Sequence, residues 1–139
     1  MRVMGLDLGS HTIGVAVSDP LGYSAQGVEV IRRGDLEEDL DRLRELMAYY
    51  EVESLVVGMP RNMNGTYGPA ADEARRFCKV LKERFSVPVY EEDERLTTVA
   101  AEKVLLEGDL SRRQRRRVID KVAAALILES FLARQPKKD

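Results

Sequence analysis

The amino-acid sequence predicts an α/β fold: a mixed five-stranded sheet, with three antiparallel strands followed by parallel strands, flanked by helices. Two observations predict it. The N-terminal part of the chain contains three apolar segments joined by short turns, which is typical of an antiparallel meander. Later apolar segments alternate with segments of helical periodicity, which indicates strands that join the sheet in parallel. The length of 139 residues and the absence of a linker-like segment predict one domain, residues 1–139.

The first three strands are expected near residues 2–8, 13–18 and 25–32. In the second of them, large Ile and Val residues alternate with Gly, Ala and Ser, which is the period of a strand with one bulky face and one small face. Residues 9–12 and 19–22 have the composition of turns and separate the strands.

The first helix is predicted to begin after Asp35, a suitable N-cap residue with Glu38 three positions later as its capping partner. Its apolar residues recur at helical spacing: they are Leu36, Leu40, Leu43, Met47 and Tyr50. Residues 54–60 then predict a buried strand that ends at a proline, and residues 61–69 predict a polar loop that contains glycine.

A second helix is predicted by apolar residues that share one face, namely Ala70, Ala74, Phe77, Leu81 and Phe85. The next strand is expected at residues 87–90 and opens into an acidic segment, residues 91–94. Another helix is expected at about residues 98–107. A capping box formed by Ser111 and Gln114 then predicts a long final helix that ends near residue 133.

Composition and charge restrict the function classes. No apolar run reaches the roughly 20 residues that a membrane-spanning helix needs, and a single cysteine, Cys78, excludes an internal disulfide. We therefore expect a cytoplasmic protein with no membrane partner. Cys78 falls among the apolar residues of the predicted second helix, so its thiol is expected to be buried. The net charge of −2 does not favour a polyanion partner, but residues 112–117 contain five arginines and no acid. Nucleic acid is bound by a local positive patch of this kind.

Asp7 is the most informative residue, because it stands between Leu6 and Leu8 near the end of a strand that should be central. A carboxylate without a partner there would cost several kcal/mol, so a cation, a metal ion or hydrogen bonds from the following turn must compensate. The carboxylate of Asp120 also needs a compensating partner, since Asp120 directly precedes the apolar part of the final helix. A ligand at a shared site could be that partner, and an ion pair with Arg116 is the alternative.

A third acid is expected from the run that ends at Glu94, because ligands gather beyond the carboxyl ends of parallel strands. Strand alternation puts Asp93 and Glu94 on opposite faces, so only one of them should face Asp7; a solvated acidic loop is the alternative. Three carboxylates from distant segments would be hard oxygen ligands for Mg²⁺ or Mn²⁺, and no Cys/His cluster indicates zinc. One or two such ions would activate a water molecule at a phosphodiester.

Candidate nucleic-acid contacts accompany these acids. Arginine suits phosphate recognition through its planar guanidinium, although a charged helix face is the alternative for the arginine-rich segment. The candidates are Arg61, Asn62, Arg95, Arg112, Arg113, Arg115, Arg116 and Arg117. His11, the single histidine, follows Asp7 in a turn and is expected to be an ordinary exposed residue, with a phosphate contact as the alternative.

Four segments together resemble the YqgF/RuvX family, relatives of the RuvC-type resolvases with an RNase H-like fold. In family order they are residues 4–10 (Met-Gly-Leu-Asp-Leu-Gly-Ser) with 13–19 (Ile-Gly-Val-Ala-Val-Ser-Asp), 56–60 (Val-Val-Gly-Met-Pro) with 62–66 (Asn-Met-Asn-Gly-Thr), 93–98 (Asp-Glu-Arg-Leu-Thr-Thr) and 119–128 (Ile-Asp-Lys-Val-Ala-Ala-Ala-Leu-Ile-Leu). The resemblance implies a catalytic and metal-binding site formed by Asp7, Glu94 and Asp120. It also implies a role in maturing the 5′ end of 16S ribosomal RNA, with Holliday-junction resolution as the alternative.

One departure from the RuvC-type resolvases affects the choice of ligand. Those proteins carry a glutamate where the first crossover strand ends, whereas residues 57–60 of this chain contain no acid. The resemblance therefore implies that the ligand comes from the next strand, with Glu94 as the first choice and Asp93 as the second.

Two other interpretations stay open. Residues 7–10 also resemble the first phosphate loop of actin-like ATPases and sugar kinases, but 139 residues are too few for two lobes around a nucleotide. A non-catalytic module that binds RNA or ribosomes would use the arginine-rich segment equally well, but would not explain buried acids at Asp7 and Asp120. Precursor ribosomal RNA is the expected partner and branched DNA the alternative. A junction-cutting enzyme should be a symmetric dimer, and the sequence does not distinguish a monomer from a homodimer.

Overall fold

Five strands form one mixed sheet in the computed structural model, which describes residues 2–60, 67–94 and 112–135, with the backbone alone for Glu94 and residues 112–120. The strands are β1 (Arg2–Leu8), β2 (Thr12–Ser18), β3 (Ala25–Arg32), β4 (Val52–Pro60) and β5 (Val89–Glu94). Their order across the sheet is β3-β2-β1-β4-β5. The first three strands pair antiparallel, whereas β4 joins β1 and β5 joins β4 in parallel. The predicted mixed sheet is confirmed.

Three helices accompany the sheet within the described residues: α1 (Leu36–Tyr49), α2 (Pro69–Arg84) and α3 (Arg112–Ala133). The Asp35 side chain accepts a hydrogen bond from the backbone N–H of Glu38, so α1 begins where the capping pattern predicts. α2 begins with a proline, which is favourable because the first N–H groups of a helix have no intrahelical acceptor. The helix expected near residues 98–107 and the Ser111 cap lie outside the described residues. None of the described helices is long and apolar enough to cross a membrane.

Helices cover both faces of the sheet, and the two faces differ in side-chain size. Large residues such as Met4, Leu6 and Val15 pack on one face against α1 and α2. Val3, Ala16 and Val56 pack on the other face against α3. Burial of the large aliphatic side chains stabilises the fold through the hydrophobic effect, while the α3 face presents mainly small residues.

α3 lies very close to the sheet because the sheet residues beneath it are small. Gly5, Ala16 and Gly27 are register partners in one row across β1, β2 and β3. A Cβ atom added at Gly5 would lie 2.9 Å from the Cβ of Leu128, and one added at Gly27 would lie 2.9 Å from the Cβ of Lys121. At the opposite side of the sheet, the Phe131 ring packs on the Tyr90 ring of β5 with centroids 5.3 Å apart. α3 therefore crosses the strands from β3 to β5.

Phe85 is the C-cap residue of α2 and packs against the core on the face of large residues, in agreement with the prediction. Two local predictions are wrong. Ala71 rather than Ala70 is buried in α2. The acidic residues 91–94 lie within β5 and not in a loop after it. They pair with β4, as Glu92 does with Gly58, and this backbone pairing outweighs the low strand propensity of acidic residues.

Gly5→Ala should destabilise the fold by about 1–3 kcal/mol, because the new Cβ would overlap Leu128 and lie 3.1 Å from the carbonyl oxygen of Ala124. Denaturant-induced unfolding followed by circular dichroism measures the free energy change. Gly34→Ala is the matched control, since no atom lies within 4 Å of its added Cβ. The control should lose no more than about 0.5 kcal/mol, and equal losses in the two variants would contradict the close approach of α3.

Candidate active site at the carboxyl edge of the sheet

β1, β4 and β5 run parallel, so their carboxyl ends lie at one edge of the sheet, here termed the carboxyl edge. Asp7 is the last residue but one of β1, and Glu94 is the last residue of β5. Ligands of open α/β sheets bind outside this kind of edge. The predicted site is therefore expected at the carboxyl edge.

Asp7 lies on the face of the sheet that α3 covers. Val3 is buried against α3 and Gly5 touches it, and strand alternation carries Asp7 to the same face. The partner of Asp7 on β2 is Gly14, which has no side chain and leaves space beside the carboxylate. Asp7 is partly buried and so can be reached by a ligand at the edge.

The turn that follows Asp7 is held in place by Arg33. The Gly9 N–H donates to the carbonyl of Thr12 at 2.8 Å, which closes the turn. The guanidinium of Arg33 donates to the Gly9 carbonyl at 2.6 Å and forms an ion pair with Glu73 of α2 at 2.8 Å. His11 is exposed in this turn, in agreement with the sequence prediction. Arg33 thus fastens the turn to α2, a role that the sequence analysis missed.

Glu92 is a buried acid that the sequence analysis also missed. Its carboxylate accepts a hydrogen bond from the Ser130 hydroxyl at 2.7 Å and forms an ion pair with Arg134. Both partners belong to the C-terminal part of the chain, so Glu92 faces α3. The alternation of Tyr90 and Glu92 could have indicated this face, had the acidic segment been assigned to a strand.

Asp93 lies on the opposite face from Glu92, because the two are neighbours in a strand. Its carboxylate accepts a hydrogen bond from the Tyr67 hydroxyl at 2.9 Å. The Arg75 guanidinium lies 4.8 Å from the centroid of the Tyr67 ring. Asp93 is therefore joined to the start of α2 and is directed away from the face that carries Asp7.

Several predicted site residues fall outside the described side chains. They are Glu94, Asp120, Arg61, Asn62, Arg95, Arg112, Arg113, Arg115, Arg116 and Arg117. The backbone of α3 places Asp120 one turn before Ala124, whose carbonyl lies against Gly5. Among the side chains that are described, no three His, Cys, Asp or Glu residues lie together as a metal site. The meeting of Asp7, Glu94 and Asp120 stays a prediction.

Cys78 does not belong to the candidate site. It is buried on α2 within the large hydrophobic cluster, as the sequence predicts. Burial raises the pKa of the Cys78 thiol to about 11, and the nearby charge of Glu91 contributes to the rise. A thiol with so high a pKa is a poor nucleophile at neutral pH.

Sequence comparison connects this chain with a defined group of proteins. A family model described as RuvX, Holliday junction resolvase, matches residues 1–134. A protein of Moorella thermoacetica, named as a candidate pre-16S rRNA nuclease, is 60% identical over 134 residues that cover 96% of each chain. A protein of Heliobacterium modesticaldum with the same name is 58% identical over 132 residues, which cover 95% of this chain and 89% of the relative.

Two solved structures are similar in fold. RuvC of T. thermophilus in complex with a Holliday junction substrate has a TM-score of 0.56 at 21% identity and covers 96% of both chains. The fowlpox virus Holliday junction resolvase has a TM-score of 0.55 at 14% identity and covers 97% of this chain and 100% of its own. At this low identity the similarity shows the fold alone, and it confirms the expected RNase H-like fold.

Cys78 of the native protein should react about 100-fold more slowly with a thiol reagent at about pH 8 than the same residue in the unfolded chain, because burial raises its pKa to about 11 from an ordinary value of 9.0. The measurement compares the reaction rate of dithionitrobenzoate in buffer and in concentrated guanidinium chloride. Fast modification of the folded protein would show that the thiol is accessible.

Proposed function

The chain belongs to the RuvX family, and on this premise we propose that it is a metal-dependent nuclease that hydrolyses phosphodiester bonds, preferentially in precursor 16S ribosomal RNA. The preference for RNA rests on the names of the relatives that are more than half identical to this chain. Asp7, Glu94 and Asp120 are the proposed catalytic and metal-binding residues, with Mg²⁺ or Mn²⁺ as the cofactor. The proposed substrate puts the reaction in the cytoplasm.

The observation that carries this proposal is the face of the sheet on which the acids lie. Asp7 is on the α3 face, and Glu92 is buried against α3 two residues before Glu94. Because side chains alternate along a strand, Glu94 is expected on the same face as Glu92 and Asp7. Asp120 belongs to α3 itself, four residues before Ala124, so helical periodicity predicts that it also faces the sheet.

The same alternation favours Glu94 over Asp93 as the ligand from β5. Asp93 is on the opposite face and is engaged by the Tyr67 hydroxyl at 2.9 Å. A shift of one residue in the strand would be needed to bring Asp93 towards Asp7, and such a shift would break the pairing of β5 with β4.

The residues fit a hard divalent cation. Three carboxylates supply the oxygen ligands that Mg²⁺ and Mn²⁺ prefer. Gly14 of β2 leaves room on one side of Asp7, and Gly58 of β4 leaves room beside Glu92, between the two strands that carry the acids. The bound cation would supply activation of a water molecule and stabilisation of the leaving oxygen. The chain itself holds the ligands in position. Arg33 contributes to this because it links the turn after Asp7 to α2 through a hydrogen bond and an ion pair.

Phosphate binding is proposed for the arginine-rich segment, residues 112–117, together with Arg61, Asn62 and Arg95. The segment forms the first turns of α3. Since α3 lies over the edge strand β3 at Lys121, residues 112–117, one or more turns earlier, would extend past that edge, where their guanidinium groups would meet the backbone of a nucleic acid.

Resolution of Holliday junctions is the second candidate function. It is favoured by the description of the matching family and by the similarity in fold to RuvC. This function would call for a symmetric homodimer, because two strands of a junction are cut, whereas cleavage of RNA needs only one subunit.

Asp7→Asn should lower Mg²⁺- or Mn²⁺-dependent cleavage of precursor 16S RNA at least about 100-fold, because it removes a charged ligand while leaving RNA binding in place. Purified protein is offered this RNA and a four-way DNA junction side by side. Asp41→Asn, on the exposed surface of α1, is the control and should keep full activity.

The outcomes of this experiment separate the candidate functions. Cleavage of the junction but not of the RNA would replace the proposed substrate with branched DNA. Binding of RNA without cleavage, unchanged in Asp7→Asn, would indicate the non-catalytic module. Greater loss of activity in Asp93→Asn than in Glu94→Gln would reverse the choice of ligand from β5.

Replacing Arg115, Arg116 and Arg117 together by Gln should weaken RNA binding and reduce the slope of log K against log salt by about 0.7–0.9 for each phosphate that is no longer neutralised. Fluorescence anisotropy without divalent metal measures the slope. The control changes the net charge equally at arginines that form ion pairs on α1 and α2, namely Arg42, Arg44 and Arg84. An equal change of slope in the control would show that overall charge, and not the start of α3, determines binding.

A further inference from the structure

Glu92 stands out as a buried charge at the junction of β5 and α3. Only 2% of Glu92 is exposed, the lowest value of any acid among the described side chains. The Ser130 hydroxyl donates to one carboxylate oxygen at 2.7 Å, and the Arg134 guanidinium pairs with the other. Ser130 lies in the last turn of α3 and Arg134 directly follows the helix, so both reach the same point on β5.

An ion pair with a buried carboxylate is an expensive way to attach a helix to a sheet, even though the partner here, Arg134, is 64% exposed. Removing a carboxylate from water costs several kcal/mol, which the partners only partly offset, and apolar residues of similar size often stabilise as well or better. An apolar contact is already present close by, where Tyr90 packs on Phe131. The best-attested use of such buried polar contacts is to select one register among several that packing alone would permit.

From β3 to β1, the α3 face of the sheet offers little to set that register. Helices are held along their axes when side-chain ridges of one element enter grooves of the other. From β3 to β1 the row beneath α3 consists of Gly27, Ala16 and Gly5, which permit a close approach but offer no ridges; the row continues across β4 and β5 with Val56 and Tyr90. A small movement of α3 along its axis therefore meets less resistance here than on the face with large side chains.

We propose that Glu92 is a positioning residue that fixes α3 along its axis relative to the carboxyl end of β5. This inference rests on the proposed function, because it concerns the separation of two proposed ligands. Glu94 follows Glu92 by two residues on β5, and Asp120 precedes Ser130 by ten residues on one continuous helix, about 15 Å along its axis. A displacement at Ser130 is transmitted along the helix to Asp120, so Glu92 acts on the metal site without touching it.

Mn²⁺ binding, measured by electron paramagnetic resonance without substrate and well below the melting temperature, tests the proposal. Glu92→Gln keeps the shape and an acceptor for Ser130 but loses the ion pair, and it should weaken Mn²⁺ binding at least about 10-fold. Ser130→Ala should act in the same direction with a smaller effect on folding. Glu91→Gln is the matched control: it removes the same charge from the exposed neighbour on β5 and should leave the affinity unchanged.

Melting temperatures without metal, measured for each variant, separate positioning from stability. Unchanged Mn²⁺ affinity in Glu92→Gln and Ser130→Ala, together with a lower melting temperature, would overturn the positioning role and leave the proposed function intact. Failure of the unaltered protein to bind Mn²⁺ would instead overturn the proposed function, and this inference with it. If Glu92→Gln does not fold, Ser130→Ala decides by the same criterion, since it leaves the ion pair in place.

Discussion

The approach of α3 to the sheet is the constraint on which the other features of this structure depend. Gly5 and Gly27 have no side chains, so the helix backbone and its first side-chain atoms fill the space that a Cβ would occupy. A helix at this distance brings its own residues to the carboxyl edge, where Asp7 lies near the end of its strand. The row of small residues would thus serve the proposed role of Asp120 as well as packing, because a wider gap would move α3 away from the sheet.

The two faces of the sheet differ in role: one contains most of the large core side chains, and the other contains Asp7 of the proposed site. The face under α1 and α2 holds the large aliphatic side chains, and loss of a buried Leu or Met there would leave a cavity. The α3 face holds the small residues, the partly buried Asp7 and the buried Glu92. Asp93 alternates to the first face and joins Tyr67 instead. One strand, β5, therefore takes part in both layers through successive residues.

Local patterns in the sequence predict the parts of this fold that local forces determine. The alternation of large and small residues in β2 and the cap at Asp35 are properties of a few neighbouring residues, and the structure agrees with both. Glu92 could not be found in this way, because its partner Ser130 lies 38 positions further along the chain. Arg33 likewise acts on a carbonyl 24 positions away. The sequence also predicts that Asp93 and Glu94 face opposite ways, but only the burial of Glu92 against α3 tells which face is which.

Charge explains how a chain with a net charge of −2 can act on a polyanion. The proposed site concentrates three carboxylates at the carboxyl edge, and they would repel a phosphate unless a divalent cation offsets their charge. The arginine-rich start of α3, proposed to bind phosphate, would attract the nucleic acid from a separate position on the same helix. Different residues would then be responsible for binding and for the reaction. Binding by the arginines would depend on the salt concentration, and the reaction at the acids would depend on the divalent cation. Because both proposed roles depend on α3, the position of that helix on its glycine row would determine how far the bound strand lies from the acids.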